Sequence, residues 1–302
     1  MHLAFIIINF HSDEDTLSIV HDLEENNQVK GVDVSIYVVD NSRSEKFKET
    51  LTRRSNAVYV DSPGNIGFAA GNNLGIKQAL TDKADIICLI NNDTHAPKDL
   101  VKNMLSSPIL DRSIGIIGGL IYFAKGYEFE HKYKPEEKGK VIWYAGGKFD
   151  WDNVLGSHLG VNEVDRGQYD GIKDTDFVTG CLLIARADVF HRVGLLDERY
   201  CLYLEDTDFN LRVRRTGYRT VVDPNIKIWH KVAQGSGIGS DLNDYFITRN
   251  RLLFGITYAR PRTKFALLRE AVRKLFTGTK AQKQAIKDFF TGNLGKGSYL
   301  KK

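Results

Sequence analysis

The chain has 302 residues, 42% of them hydrophobic and 26% charged, which suits one large α/β domain or one domain plus a substantial appendage. Its net charge of +4 hides an asymmetry: residues 260–302 hold twelve Lys/Arg and two Asp/Glu, a net of +10, which leaves −6 on residues 1–259. A mildly acidic body argues against a broad nucleic-acid face, while the basic tail points to a local surface suited to anionic membrane.

The elements alternate from the start. Leu3 to Ile8 is a β-branched-rich run ended by Asn9 and His11, and a helix is expected from Asp13 to Asn26. This opening run lacks a charged segment and a cleavage site, so it reads as a buried strand and not a signal peptide. Ser35 to Val39 is a second strand, ended by Asp40-Asn41-Ser42, and Glu45 to Arg54 a second helix. Ala57 to Val60 is a third strand, Gly64 to Gly71 a glycine-rich loop, and Asn72 to Leu80 a helix. Ile86 to Ile90 is a fourth strand, ended by Asn91-Asn92-Asp93. Such alternation predicts a Rossmann-like, mostly parallel sheet with helices on both faces, whose ligands bind beyond the strand C-termini. Residues 122–176 read as loops with a short hairpin around Val141 to Asp150. Strand, helix and strand follow between Asp176 and Trp229, and the tail from about Asp241 is helical. No run reaches the ~18 apolar residues of a membrane span. Cys88, Cys181 and Cys201 lie in or beside apolar runs without a CxxC spacing, which predicts buried, reduced thiols and a cytosolic compartment.

Four clusters carry chemistry. Asn91-Asn92-Asp93 suits a strand-ending turn, and also a carboxylate holding a divalent cation beside a diphosphate leaving group. Glu205-Asp206-Thr207-Asp208 places three carboxylates within four residues. Capping a helix N-terminus explains one of them easily; a base that deprotonates an acceptor hydroxyl is the functional reading. Trp229-His230 ends a strand over Ile226 to Trp229, where a neutral imidazole can complete a metal shell begun by Asp93. Asn65 to Asn73 is either a glycine-permitted turn or a close backbone approach to a nucleotide. Gly235 to Gly239 reads as a loop suited to a lid over the donor.

Together these segments resemble the inverting enzymes of glycosyltransferase family two, over roughly residues 3–255. The carrying segments are Asn9-Phe10-His11-Ser12, Val39-Asp40-Asn41-Ser42, Asn65 to Gly75, and Leu89 to Thr94 as counterpart of the DXD motif. Thr179-Gly180, Gly194 to Glu198, Glu205 to Asp208, Gly217-Tyr218 and Trp229-His230 complete the order. The resemblance implies a GT-A fold over residues 1–240, with a nucleotide-sugar half at 1–120 and an acceptor half at 121–240, followed by a basic helical extension at 241–302. It implies that Asn9, Asp40, Asn65, Gly67, Asn72 and Asn92 bind the donor nucleotide. Asp93 and His230 would hold Mg²⁺ or Mn²⁺, Asp206 would be the base with Glu205 beside it, and Asp208, Trp143 and Gly180 would serve the acceptor or support the site. The DXD position offers one carboxylate where relatives offer two or three.

Within the family, Trp143 to Gly147, Asp165 to Asp170, Tyr245 to Asn250 and Ile286 to Gly292 are similar to rhamnosyltransferase-like members. That similarity implies dTDP-L-rhamnose as donor and a glycan or lipid-linked glycan as acceptor, in cell-surface polysaccharide synthesis. Phe265, Leu268, Val272, Leu275 and Phe276 follow helical spacing with Lys and Arg between them. They fit either a helix packed on the catalytic domain or one lying on anionic lipid at the inner face of the plasma membrane, and the same helices offer a homodimer contact. Two other functions compete. A sugar nucleotidylyltransferase needs a basic glycine-rich loop after its first strand, where Asn9-Phe10-His11-Ser12 stands. A non-catalytic carbohydrate-binding scaffold at the membrane would gain little from three clustered carboxylates. No GxGxxG follows a strand, which disfavours a dehydrogenase.

Overall fold

The computed structural model describes residues 1–26, 29–232 and 240–300, so the expected lid at Gly235 to Gly239 lies outside the described residues. The first half runs β1 (His2–Asn9), α1 (Asp13–Asn26), β2 (Asp33–Asp40), α2 (Glu45–Arg54), β3 (Val58–Asp61), α3 (Phe68–Thr81) and β4 (Ile86–Ile90). It continues through β5 (Thr94–His95), α4 (Leu100–Ser106), β6 (Ile114–Phe123) and β7 (Ile142–Tyr144). Next come β8 (Gly147–Asp150), β9 (Leu155–His158), β10 (Lys173–Asp174), β11 (Leu182–Arg186), α5 (Ala187–Val193), α6 (Glu205–Arg215) and β12 (Arg219–His230). The tail is α7 (Asp241–Tyr258), α8 (Pro261–Thr277) and α9 (Lys280–Phe290). No helix of the described residues is long and apolar enough to cross a membrane.

One large sheet has the order β10-β12-β6-β11-β4-β1-β2-β3, with β5 paired to β12 and β7 to β6. Strands β3, β2, β1 and β4 are parallel, as are β6 and β12. Strand β11 runs antiparallel between β4 and β6 and joins the two parallel parts. Side chains alternate along β1, so its two faces feed two cores. Leu3, Phe5 and Ile7 pack with α1, α2 and α4 through Ile19, Leu23, Phe47, Leu51 and Met104. Ala4 and Ile6 pack with α3, α5 and α6 through Ile76, Phe190 and Phe209. Burial on both faces explains the unbroken apolar runs, as expected of a parallel sheet covered on both sides.

Three expectations need correction. Helix α3 opens at Phe68 and not at Asn72, because the amides of Phe68 and Ala69 find a distant acceptor, the Cys201 carbonyl, at 2.7 and 3.1 Å. The hairpin is β8–β9, with Asp150 accepting from the Asp152 and Asn153 amides in its turn, whereas β7 joins the main sheet beside β6. Gly146, at φ +128°, turns the chain from one sheet to the other. The last strand is longer than Ile226 to Trp229: β12 starts at Arg219 and carries a bulge between Asp223 and Lys227.

The tail has its own core. Thr263, Leu267 and Ala271 form the buried side of α8, with Leu267 against Gly255 of α7. Of the five apolar positions at helical spacing, Leu275 is half-buried, whereas Phe265, Leu268, Val272 and Phe276 are exposed. All three cysteines are buried and unpaired.

Strand β6 was hidden in the sequence by Gly118 and Gly119, and the second of these is required by the bulge. A Cβ on Gly119 would stand 2.4 Å from the Ile226 carbonyl oxygen. Gly119→Ala is therefore expected to lower unfolding free energy by about 1–3 kcal/mol in urea titrations. An unchanged midpoint would mean that the bulge yields freely.

Candidate active site

The strands β1, β2 and β4 are parallel, so Asn9, Asp40 and Asn91 to Asp93 emerge at one edge of the sheet. Asn9 and Asp40 are register partners, and Asn9 Nδ2 donates to Asp40 Oδ1 at 3.1 Å. Both Asp40 oxygens are occupied: Oδ1 also accepts from the Ser42 amide, and Oδ2 from the Ser44 amide and Tyr59 hydroxyl. Asp40 is fully buried, so a base reaching it must replace one of these bonds. Asn92 Nδ2 donates to Thr16 Oγ1, which itself donates to Asn9 Oδ1. The polar strand ends thus form one network.

The glycine-rich loop lies against a distant turn. Asn65 Oδ1 accepts from the Gly67 amide, and Gly67 sits at φ +87° with no room for a Cβ, which would meet Cys201 Sγ at 2.3 Å. Asn72 is buried and donates to the Phe68 carbonyl inside α3.

On the neighbouring strands, Asp93 Oδ1 stands 3.0 Å from His230 Nε2. The pair exists because β12 runs past β5, pairing Trp229 with His95 and His230 with Thr94. Burial opposes charge on His230, but the Cys181 thiol and the Asp93 carboxylate outweigh it and raise the pKa to about 10. The Trp143 ring meets those of His158 and His230 edge-on, each with centroids 4.6 Å away.

The three carboxylates of α6 have three different environments. Asp208 is buried in an ion pair with Arg212 at 2.7 Å and accepts from Tyr258 at 2.7 Å, so it supports the helix. Glu205 is buried with Oε2 unpartnered, and burial followed by the nearby Asp206 charge raises its pKa well above the ordinary value. Asp206 alone is half-buried, accepting from the Gly180 amide at 2.9 Å through Oδ2 and from the Thr207 amide at 2.6 Å through Oδ1. Burial raises its pKa as well. A carboxylate raised from its ordinary range is the more effective proton acceptor. Gly180 and Cys181 connect the two halves of the site. The Gly180 amide holds Asp206, while Cys181 bonds to His230 and accepts from the Asn91 amide at 3.1 Å.

Sequence reasoning left Arg249 and Asn250 without a role. The turn before α6 holds Cys201, Tyr203 and Leu204 at φ 65°, 69° and 71°, a conformation costly for such side chains. Asn250 Nδ2 donates to the carbonyls of Tyr200, Leu202 and Tyr203 at 2.9, 2.7 and 2.8 Å. Arg249 Nη2 donates to the Arg199 and Tyr200 carbonyls, and Nη1 to that of Gly295. The available signal was a polar pair between the apolar Tyr245-Phe246 and Leu252–Gly255 stretches of α7, buried with them.

Among the described residues no three His, Cys, Asp or Glu side chains converge as a metal cage. The Asp93–His230 pair still fits a hard divalent ion that takes few protein ligands and completes its shell with phosphate and water. His230 Nδ1 is buried without a hydrogen-bond partner among the described residues.

The family model of glycosyl transferase family 2 matches residues 5–189. The chain is 25% identical over 256 residues to the low-salt glycan biosynthesis hexosyltransferase Agl10 of Haloferax volcanii, covering 83% of this chain and 74% of that protein. It is 23% identical over 234 residues to the dTDP-rhamnosyl transferase RfbF of Shigella flexneri, covering 75% of this chain and 72% of that protein. The fold is similar to that of GalNAc-T7, solved with UDP, GalNAc and Mn²⁺, at a TM-score of 0.62 and 14% identity. That likeness covers 96% of this chain and 57% of the other.

Two outcomes follow from the geometry. Glu205 has a folded pKa above its unfolded one, so its neutral form is fully compatible with folding below the unfolded pKa near 4.5, and stability falls as pH rises above it. Glu205→Gln should raise Tm more at pH 8 than at pH 5, and a pH-independent difference would contradict a buried neutral acid. Asn250→Ala takes one donor away from each of three carbonyls and should cost about 1–3 kcal/mol in urea unfolding, whereas an unaffected midpoint would show that the turn holds itself.

Proposed function

The chain belongs to glycosyl transferase family 2, and from that premise we propose that it inverts a sugar centre, moving the sugar from a nucleotide donor to a hydroxyl of a glycan or lipid-linked glycan. Residues 1–120 take the donor, 121–240 the acceptor and the chemistry, and 241–302 form the extension. The observation that carries this reading is that Asp206, the half-buried carboxylate of α6, is held by the amide of Gly180, and the next residue, Cys181, bonds to His230 of the Asp93–His230 pair. The GT-A fold shared with nucleotide-sugar enzymes supports it, and the likeness to a dTDP-rhamnosyl transferase favours dTDP-L-rhamnose in cell-surface polysaccharide synthesis.

Asp206 accepts the proton of the acceptor hydroxyl as that oxygen attacks the anomeric carbon. The nucleotide diphosphate departs from the opposite side, which inverts the centre. Glu205, neutral beside it, adds no second negative charge to repel the forming oxyanion. Asn9, Asp40, Asn65, Gly67, Asn72 and Asn92 border the nucleotide, chiefly by fixing the backbone that approaches it. Asp93 and His230 would hold Mg²⁺ or Mn²⁺, which supplies positive charge beside the leaving diphosphate. Reaction in the cytoplasm, where nucleotide sugars are available, fits three reduced thiols.

The test joins binding to turnover. Melting temperature is measured with dTDP, UDP and GDP, each with and without Mn²⁺, and transfer is measured with the nucleotide sugar that binds. A metal-dependent shift is expected with one nucleotide, and it should persist in Asp206→Asn while turnover falls about 10²–10⁴-fold. Asp93→Ala should lose the Mn²⁺-dependent part of the shift. No shift with any nucleotide would reject the donor site, and near wild-type turnover in Asp206→Asn would reject the base.

A further inference from the structure

Helix α8 carries two apolar faces, and the tail core uses only one. Thr263, Leu267 and Ala271 are buried toward α7. On another side, Phe265, Leu268, Val272 and Phe276 recur at spacings of three, four and four residues, which places them on one stripe. Phe265 is 70% exposed, Val272 52% and Phe276 78%. A stripe of this kind on a water-facing helix marks an interaction surface. On α9, Phe290 is also exposed.

The charge around the stripe says what it meets. Arg262, Arg269 and Arg273 are exposed and recur at spacings of seven and four, forming a row beside the apolar stripe, and Lys264 stands on its other side. Among the described residues none of these four has an ion-pair partner. The helix's acidic residue, Glu270, is turned inward and held by Arg251 and Lys274, both at 2.9 Å. The exposed side of α8 is therefore apolar at its centre and purely cationic at its borders. A second copy of this chain would bring the same cations to the contact, whereas an anionic lipid surface accepts both the aromatic stripe and the arginine row.

We propose that α8 lies in the headgroup layer of an anionic membrane, with Phe265, Leu268, Val272 and Phe276 entering the acyl boundary and Arg262, Arg269 and Arg273 meeting lipid phosphates. The assignment stands on this helix and does not depend on the transfer chemistry proposed above. It holds the body against a membrane through the face of α8 opposite the tail core.

The full chain is to be co-sedimented with vesicles of phosphatidylcholine, with and without phosphatidylglycerol. Binding is expected to vesicles containing phosphatidylglycerol, to weaken as salt rises, and to be negligible on pure phosphatidylcholine. The exposed substitutions Phe265→Ser and Phe276→Ser together should reduce binding by about tenfold or more, with the circular dichroism spectrum and Tm retained. Arg269→Gln with Arg273→Gln should remove the preference for the anionic lipid. Nucleotide-induced melting shifts are measured on the same variants, so a failure of docking is separable from a failure of donor binding. The proposal is overturned if the wild-type chain leaves anionic vesicles in the supernatant, or if the double serine variant binds as wild type does. A vesicle-free dimer that the serine variant dissolves would overturn it as well, by assigning the stripe to a second copy.

Discussion

The structure turns on a run of left-handed residues that could not hold its shape unaided. Cys201, Tyr203 and Leu204 all have positive φ, and the carbonyls of Tyr200, Leu202 and Tyr203 along the same turn are met by donors from outside it. Asn250 and Arg249 supply those donors from α7, and the Cys201 carbonyl in turn accepts the first two amides of α3. One turn thus sets the start of α3, the start of the helix bearing Asp206, and the seat of the tail. Arg249 makes the arrangement stiff: it is fully buried, stacks on Tyr245 and Phe246, and reaches the Gly295 carbonyl near the end of the chain. The extension is part of the catalytic architecture for this reason, whatever else its exposed side meets.

Electrostatics then divides three neighbouring acids. In water, Glu205, Asp206 and Asp208 would all be ionised and would repel one another. Here Asp208 is neutralised by Arg212 and two tyrosine hydroxyls, Glu205 is held toward its protonated form, and Asp206 keeps two backbone amides and partial contact with solvent. Removing one partner of the buried Asp208–Arg212 pair would leave an uncompensated charge, a cost of about 3–5 kcal/mol. That cost makes Asp208 a support of the helix, whereas Asp206 is the one of the three that keeps partial exposure.

The first half of the fold was legible because each strand is a continuous apolar run ended by a polar residue, and because α1 and α2 carry clear boundaries. The starts of α3 and β6 were not, and the reasons are physical. Helix α3 begins where a carbonyl more than a hundred residues away accepts its amides. Strand β6 contains two glycines that local patterning reads as a break, yet Gly119 is what lets β12 bulge against it. The same split holds at the site. Asp93, His230, Asp206 and Gly180 were singled out by residue type and order, and the fold pairs Asp93 with His230 and Gly180 with Asp206. The environments of Asp40, Trp143 and Asp208 depended on tertiary contacts, as did every contact of Arg249 and Asn250. The tail helix shows the limit of periodicity alone: its spacing identified an apolar stripe, but not which stripe would be covered.

The bulge in β12 acts as a spacer of fixed length. Asp223 lies opposite Gly119 and Lys227 opposite Leu120, so three residues are set aside between two successive rungs, and His230 then falls beside Phe123 and Thr94. Strand side chains alternate between faces, so adding or removing one residue in that spacer would point the imidazole to the other side of the sheet and bring a neighbouring side chain toward Asp93. A stretch with no chemistry of its own therefore has its residue count set by mechanics: counting, and not composition, is what Pro224, Asn225 and Ile226 contribute to the meeting of Asp93 with His230.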